Sequence, residues 1–294
     1  MSKIEDALKK AYESGLVKYP GIAVSNDESG VNKKSSSRNL VTFKASENVI
    51  ARKKQSIKEI AQMKNSSLLK SQQLTQLRII SPDTGDDKIA NSYRDLRTKI
   101  IQKTRGKNAV VLVTSCTPGA ENSLATLNLA TAFSFDQSKT SLVVDCNFQN
   151  PQIEKLLKIN TVPGLVQYLE SEDVDVNEII HETGIKRLRL IPAGKVREVE
   201  TEYFTSHKMK TLMNNLFARY PDRYVFINSR PIDESADTRI LTEMSDYVLL
   251  VVPYGKATSY KINESVRDID PEKFLGVVFV DKPTIPKKSL FNLF

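Results

Sequence analysis

The chain has 294 residues, 40% of them hydrophobic and 27% charged, a balance that excludes fibrous and wholly disordered classes and suits one large α/β domain with an appendage, or two small domains. Its longest apolar runs, such as 109–113 and 247–252, fall far short of the roughly 18–20 residues that span a bilayer, no signal-like apolar region stands at the N-terminus, and two cysteines are too few for a disulfide framework, so a cytoplasmic chain without a span of its own is expected. The formal net charge of +8 is unevenly placed: residues 1–75 hold 14 Lys+Arg against 7 Asp+Glu, and the remainder 29 against 28. A basic field over the whole body would suggest nucleic acid, whereas a basic arm on a neutral body suggests a solvated linker or an appendage near an anionic partner or membrane surface.

In chain order, Ser2-Lys3-Ile4-Glu5 has the spacing of a capping box, and Ile4, Leu8, Ala11, Tyr12 and Leu16 recur at helical spacing until Pro20-Gly21. This predicts a short amphipathic helix over 1–20. Residues 21–39 have the Ser/Asn/Lys-rich composition of a disordered linker, the weak helical period of 46–73 predicts a helix there, and Ser81-Pro82-Asp83-Thr84-Gly85 is a turn that opens the next unit. The expected organisation is an N-terminal helix over 1–20, a basic arm over 21–80, a domain over 81–282 and a tail over 283–294.

From there, short β-branched runs at 109–114, 141–145, 188–191, 224–228, 247–252 and 275–280 alternate with helix-like stretches at 89–103, 123–135, 207–220, 238–244 and 259–268. Continuous apolar strands separated by amphipathic helices predict a doubly wound α/β fold, a mostly parallel sheet flanked by helices, with ligand chemistry at the carboxyl ends of the strands. The first strand runs into Ser115-Cys116-Thr117-Pro118-Gly119-Ala120-Glu121-Asn122-Ser123 and then a helix, the layout of a phosphate-binding loop. A working loop ends Gly-Lys-Ser/Thr. Here Ser123 keeps the hydroxyl, Asn122 replaces the lysine, and Glu121 brings a carboxylate that would repel a triphosphate.

Four separated blocks, Thr114-Ser115 with Pro118-Gly119, Ser123 and Asn128-Leu129-Ala130, then Leu142 to Pro151, then Pro163-Gly164-Leu165 with Tyr168-Leu169, then Ile191-Pro192-Ala193-Gly194, together resemble the bacterial tyrosine kinases (BY-kinases), P-loop proteins of exopolysaccharide synthesis related to the MinD/ParA ATPases. The N-terminal Met1 to Leu8 is similar to the soluble branch found in exosortase-type polysaccharide clusters. The resemblance covers about residues 77–282 and implies a P-loop NTPase-like fold. It also implies a partner, the cytoplasmic part of a membrane chain-length or co-polymerase protein, together with self-association and peripheral contact with the inner membrane, without nucleic acid.

The family's active positions depart from pattern at four places. Its Walker A lysine falls on Asn122 and the preceding glycine on Glu121. Asp145 keeps the magnesium-binding carboxylate, while the acid two residues on is Asn147. The Walker B strand end reads Ile227-Asn228-Ser229-Arg230-Pro231, so its carboxylate is an amide, and the adenine-contacting Asn falls on Val280. Phosphoryl transfer depends on positioned positive charge, and losing one such donor typically costs about 2.7–4 kcal/mol. The family's terminal tyrosine cluster is also missing, Tyr260 being the last tyrosine.

The expectation is therefore a pseudokinase-like scaffold or regulator of exopolysaccharide synthesis and export, with no ATP or Mg²⁺ cofactor and no metal site. The vestigial residues are Ser115, Pro118, Gly119, Glu121, Asn122, Ser123, Asp145, Asn228 and Arg230. Two alternatives stand beside it: a divergent active kinase or ATPase using Arg230 and Asp145 with ATP and Mg²⁺, and a MinD/ParA-like positioning factor. Arg230 is expected to pair with Glu121 or Asp145 and fill the emptied pocket. Arg94 and Arg97 match the family's Glu-x-x-Arg-x-x-Arg oligomerisation helix with its Glu replaced by Asn91, and are the candidates for self-association. Cys116 and Cys146, after neighbouring strand ends, read as buried structural thiols, and His181 and His207 as surface residues. The apolar tail Leu290, Phe291, Leu293 and Phe294 either packs on its own sheet or docks on a membrane or partner.

Overall fold

The computed structural model describes residues 60, 67–83, 88–119, 121–159, 162–195, 202–218 and 222–281. Internal contacts divide the chain into Met1–Arg52 and Lys53–Phe294, and every described residue belongs to the second unit. The N-terminal helix, the linker at 21–39 and the apolar tail lie outside the described residues.

The elements in order are α1 (Ser71–Gln76), α2 (Lys88–Lys103), β1 (Val110–Ser115), α3 (Glu121–Ser134), β2 (Thr140–Asp145), α4 (Ile153–Leu157), α5 (Leu165–Glu170), β3 (His181–Glu182), β4 (Leu188–Ile191), α6 (Glu202–Thr205), α7 (His207–Ala218), β5 (Arg223–Asn228), a 3-10 turn (Ile232–Glu234), α8 (Ala236–Glu243), β6 (Tyr247–Pro253), α9 (Ser259–Arg267) and β7 (Phe274–Val280). The sheet order is β3-β4-β2-β5-β1-β6-β7, with every pair parallel except β3 and β4. This is the doubly wound architecture that the alternating runs predict.

Both faces of the central strands are buried, which is why these strands read as continuous apolar runs rather than alternating ones. Val110 and Leu112 of β1, Leu142 and Val144 of β2, and Val225 and Ile227 of β5 pack into one cluster with residues of α5, α6 and α7. Their sequence neighbours Val111, Val113, Val143, Tyr224 and Phe226 pack into the other, with α2 and α3. Helix α3 lies deep in that second layer and is buried from Asn122 to Ser134 apart from Leu124, as a helix covered on all sides must be. Phe133 stacks its ring 4.4 Å from Tyr224 and 5.1 Å from Phe226. The packing reaches back to Leu74, Ile79 and Ile80, and the Asn128 side chain accepts from the Ile80 amide at 2.8 Å and donates to the Arg78 carbonyl at 3.1 Å.

Two of the separated sequence blocks meet in space. A Cβ on Gly164 would lie 2.5 Å from the Gly194 Cα, and the amides of Leu165 and Val166 donate to the carbonyls of Pro192 and Ala193. Gly194 sits at φ +85°, so glycine serves there both the close approach and the left-handed backbone. His181, expected at the surface, is half-buried on β3 with its Nε2 2.7 Å from the Pro163 carbonyl, whereas His207 is exposed at the start of α7. The cysteines do not follow neighbouring strands, because β5 lies between β1 and β2; Cys116 packs with Leu250 and Val252, and Cys146 in the α5–α7 layer. Burial pushes both thiols up, Cys146 strongly. Neither thiol is expected to react with an aromatic disulfide reagent at neutral pH until the domain unfolds; rapid labelling of the native protein would contradict this burial.

Candidate functional site

The carboxyl ends of β1, β2 and β5 converge on the start of α3. Here the expected vestigial residues come together. Asn122, the residue expected to stand in place of a phosphate-binding lysine, is buried, and its Nδ2 lies 2.9 Å from the Ser229 carbonyl, 3.0 Å from Asn228 Oδ1 and 3.1 Å from the Val113 carbonyl. Three acceptors around one amide nitrogen fix its orientation, and two hydrogens are shared among them. Asn228 Nδ2 in turn donates to Asp145 Oδ1 at 2.8 Å and to Ser123 Oγ at 3.2 Å. Thr126, one turn into α3, donates to the Asn122 carbonyl at 2.9 Å.

The result is a network of two amides, one hydroxyl and one carboxylate in which Asn122, at the start of α3, and Asn228, at the end of β5, hold each other. Asp145 Oδ2 and Asn122 Oδ1 are buried without a hydrogen-bond partner. Asp145 is fully buried, and desolvation raises its pKa to about 7, against the pull of the Asn228 amide and the backbone N–H groups of Asn147 and Ile153 toward the ionised form.

The loop itself holds a carboxylate of its own. Glu121 opens α3 with its side chain folded back over Gly119: a Cβ at Gly119 would lie 2.0 Å from Glu121 Oε2. Lys256, in the turn after β6, reaches Glu121 Oε1 at 2.5 Å. The Lys256 hydrogen bond, chiefly, holds the Glu121 carboxyl below the usual range, and the same contact raises Lys256. Glu121 therefore lies at the positive end of α3, where a bound anion would sit, already matched to a cation. Pro118 and Gly119 form the exposed rim, and Ser115 Oγ donates to the Thr117 carbonyl at 2.8 Å.

Arg230 takes neither of its two expected partners. Those are engaged by Lys256 and Asn228, and the Arg230 guanidinium lies where it favours ionisation of Asp237 on α8. Its backbone carbonyl accepts from Thr114 Oγ1 at 2.7 Å and Thr238 Oγ1 at 3.1 Å, which ties β1 and α8 to the end of β5. The Asn228–Arg230 corner is thus placed by its main chain rather than by the arginine's charge. Lys256 is the residue that sequence reasoning missed: it lies 135 positions from its partner, and only the turn after β6 brings it to the loop.

Arg94 and Arg97 both make contacts within the domain. Arg94 Nη1 donates to Asn91 Oδ1 at 2.8 Å and its guanidinium lies 5.7 Å from the Phe135 ring centre, while Arg97 Nη1 donates to the Ala132 carbonyl at 2.8 Å. They pin α2 to the end of α3. Among the described residues no group of three His, Cys, Asp or Glu side chains is placed to hold a metal ion, and no helix is long and apolar enough to cross a membrane.

No family model matches the chain. A tyrosine-protein kinase named CpsD from Streptococcus agalactiae serotype III (strain NEM316) is 27% identical over 213 residues, which cover 70% of this chain and 88% of that protein. A putative tyrosine-protein kinase named EpsB from Ralstonia nicotianae (strain ATCC BAA-1114 / GMI1000) is 28% identical over 198 residues, 66% of this chain and 26% of that protein. The kinase domain of the Escherichia coli tyrosine kinase ETK superposes with a TM-score of 0.62 at 18% identity, over 78% of this chain and 86% of that one. Over about two thirds of its length the chain is similar to bacterial proteins named as tyrosine-protein kinases, and its fold is that of such a kinase domain.

Proposed function

We propose that this chain is a regulator or scaffold of polysaccharide synthesis and export, with the architecture of a BY-kinase and without phosphoryl transfer. The pathway rests on its relatives' kinase names and on the four sequence blocks it shares with BY-kinases of exopolysaccharide synthesis. The loss of transfer rests on one observation above all: the Glu121 carboxylate, paired with Lys256, occupies the mouth of the loop, and the lysine position behind it is a buried amide that is already hydrogen-bonded.

A magnesium nucleotide does not fit these residues. The loop offers it a like charge, no ammonium reaches the β/γ-phosphates from the lysine position, and the Ser123 hydroxyl already accepts from Asn228. The implied partner is the cytoplasmic part of a membrane co-polymerase, engaged at the inner membrane face. In that role the domain works by binding, as a fixed shape in an assembly that other members of the fold drive with ATP.

Calorimetric titration with ATP·Mg²⁺ tests this reading. No binding is expected up to millimolar nucleotide, whereas micromolar binding would overturn it in favour of a divergent active kinase. The triple change Asn122→Lys, Glu121→Gly and Asn228→Asp is expected to bring nucleotide binding back, since it removes the plug and restores the paired lysine and carboxylate together.

A further inference from the structure

A second charged feature lies at the opposite end of the sheet, where the strands begin. Residues 88–107 carry seven Lys and Arg and one acid, Asp95. Arg94 and Arg97 are turned inward onto α3, and the charge left at the end of α2 is concentrated in Lys99, Lys103, Arg105 and Lys107, all exposed. Among the described residues no carboxylate lies within 4.0 Å of any of the four, although seven ion pairs form elsewhere on the domain.

The local backbone presents these cations together. Arg105 at φ +53° and Gly106 at φ +74° make a tight left-handed turn between α2 and β1, and nothing lies within 4 Å of where a Gly106 Cβ would stand, so the turn is open on its outer side. Lys139, just before β2, donates its ammonium to the Gly106 carbonyl at 3.0 Å and adds a fifth positive charge to the same corner. The Asn108 side chain donates to the Phe217 carbonyl at 3.0 Å, which sets the end of α7, with Phe217 38% exposed, beside the turn. The carboxylates facing this corner are mostly committed to the chain's own donors: Asp136 accepts from the Ser138 amide and hydroxyl, and Asp246 accepts from the Val110 amide. Asp222 is half-buried before β5, and Asp95 lies one turn before Lys99 on α2.

We propose that this corner is a docking surface for an anionic lipid bilayer. Flexible lysines on a projecting turn suit the diffuse field of acidic headgroups, which rewards each nearby cation by about fivefold in partitioning. Among the described residues, the bidentate pockets and stacked aromatic rings by which arginine reads a phosphopeptide or a nucleic acid strand are not built around this turn. The exposed Phe217 ring adds an apolar element at the rim, of the kind that enters the headgroup boundary beside basic residues. Docked here, the domain turns the loop end of its sheet, with Glu121 and Asn122, away from the membrane.

The test uses the full chain with vesicles of phosphatidylcholine containing about a third phosphatidylserine, a composition whose surface potential draws polybasic segments. Flotation should show binding to these vesicles, none to phosphatidylcholine alone, and a fall as salt is raised. The triple variant Lys103→Gln, Arg105→Gln, Lys107→Gln should bind about a hundredfold more weakly, by the fivefold step for each cation. An equal charge change at the loop end, Lys155→Gln, Lys158→Gln, Lys195→Gln, should leave binding close to that of the unaltered chain. Residues 1–75 are the same in all three proteins, so the comparison isolates the corner. The proposal is overturned by absence of vesicle binding, which is also the result an acidic protein partner would give, by unchanged binding in the first variant, or by equal loss in the second. None of these outcomes depends on whether nucleotide binds.

Discussion

Asn228→Ala should lower the free energy of unfolding by about 1–3 kcal/mol, because it takes the amide donor from buried Asp145 Oδ1 and leaves that oxygen the Asn147 N–H alone, while the Asn122 amide keeps the Val113 and Ser229 carbonyls. The loss should be larger at pH 8 than at pH 6. The Asn228 amide favours the ionised Asp145, so its removal is felt most where that carboxylate carries its charge. Urea denaturation at the two pH values measures both quantities. A loss below about 1 kcal/mol, the worth of a single ordinary hydrogen bond, would mean that water reaches the site and that the network is not closed.

The second large effect is the pH dependence carried by Asp145 itself. Its pKa is about 7 in the folded chain and near the ordinary 3.8 when unfolded, so between those values the folded state holds a proton that the unfolded state has lost. Stability from this group therefore falls as pH rises from about 4 to about 7 and then levels off, the reverse of a salt-bridged carboxylate. Three pKa units correspond to about 4 kcal/mol, which bounds the effect. Glu121, held low by Lys256, acts in the opposite sense in acid, so the informative quantity is the difference between the unaltered chain and Asp145→Asn. That difference should drift across pH 4–7, and parallel curves would show that Asp145 is ionised throughout.

Much of this was legible in the sequence, and the failures have physical causes. The six longer strands were each placed within a residue or two, because strands buried on both faces leave apolar runs that are hard to mistake. The two-residue β3 and the helices α4, α5 and α6, of four to six residues, are too short to display a period, and α1 overlaps only the end of the helix expected over 46–73. Helix α8 begins two residues earlier than expected because Ser235 caps it by accepting from the Thr238 amide.

At the site, the sequence order brings Glu121, Asn122, Asp145 and Asn228 to neighbouring strand ends, as expected. Their identities did not show that the two amides would bind each other. Arg230 was the cation expected in the emptied loop because it is near in the alignment of strand ends; Lys256 is there because the turn after β6 folds over that loop. A sequence shows which charges need a partner more readily than which side chain the loops will deliver.

One exposed contact bears on how the domain sits in its chain. Arg78 Nη2 meets Asp281 Oδ1 at 2.7 Å, joining the point just before Ile79 and Ile80 enter the core to the point where the chain leaves β7. Asp281 thus lies beside the stretch that leads from α1 into the core. Exposed on both sides, this ion pair is worth about 1 kcal/mol or less, and the chain ahead of it is held by Leu74 in the core and by the Leu69 amide on the Gly184 carbonyl. A pull from the N-terminal side therefore meets α1 and the Leu69–Gly184 hydrogen bond before it meets the ion pair or the sheet behind it.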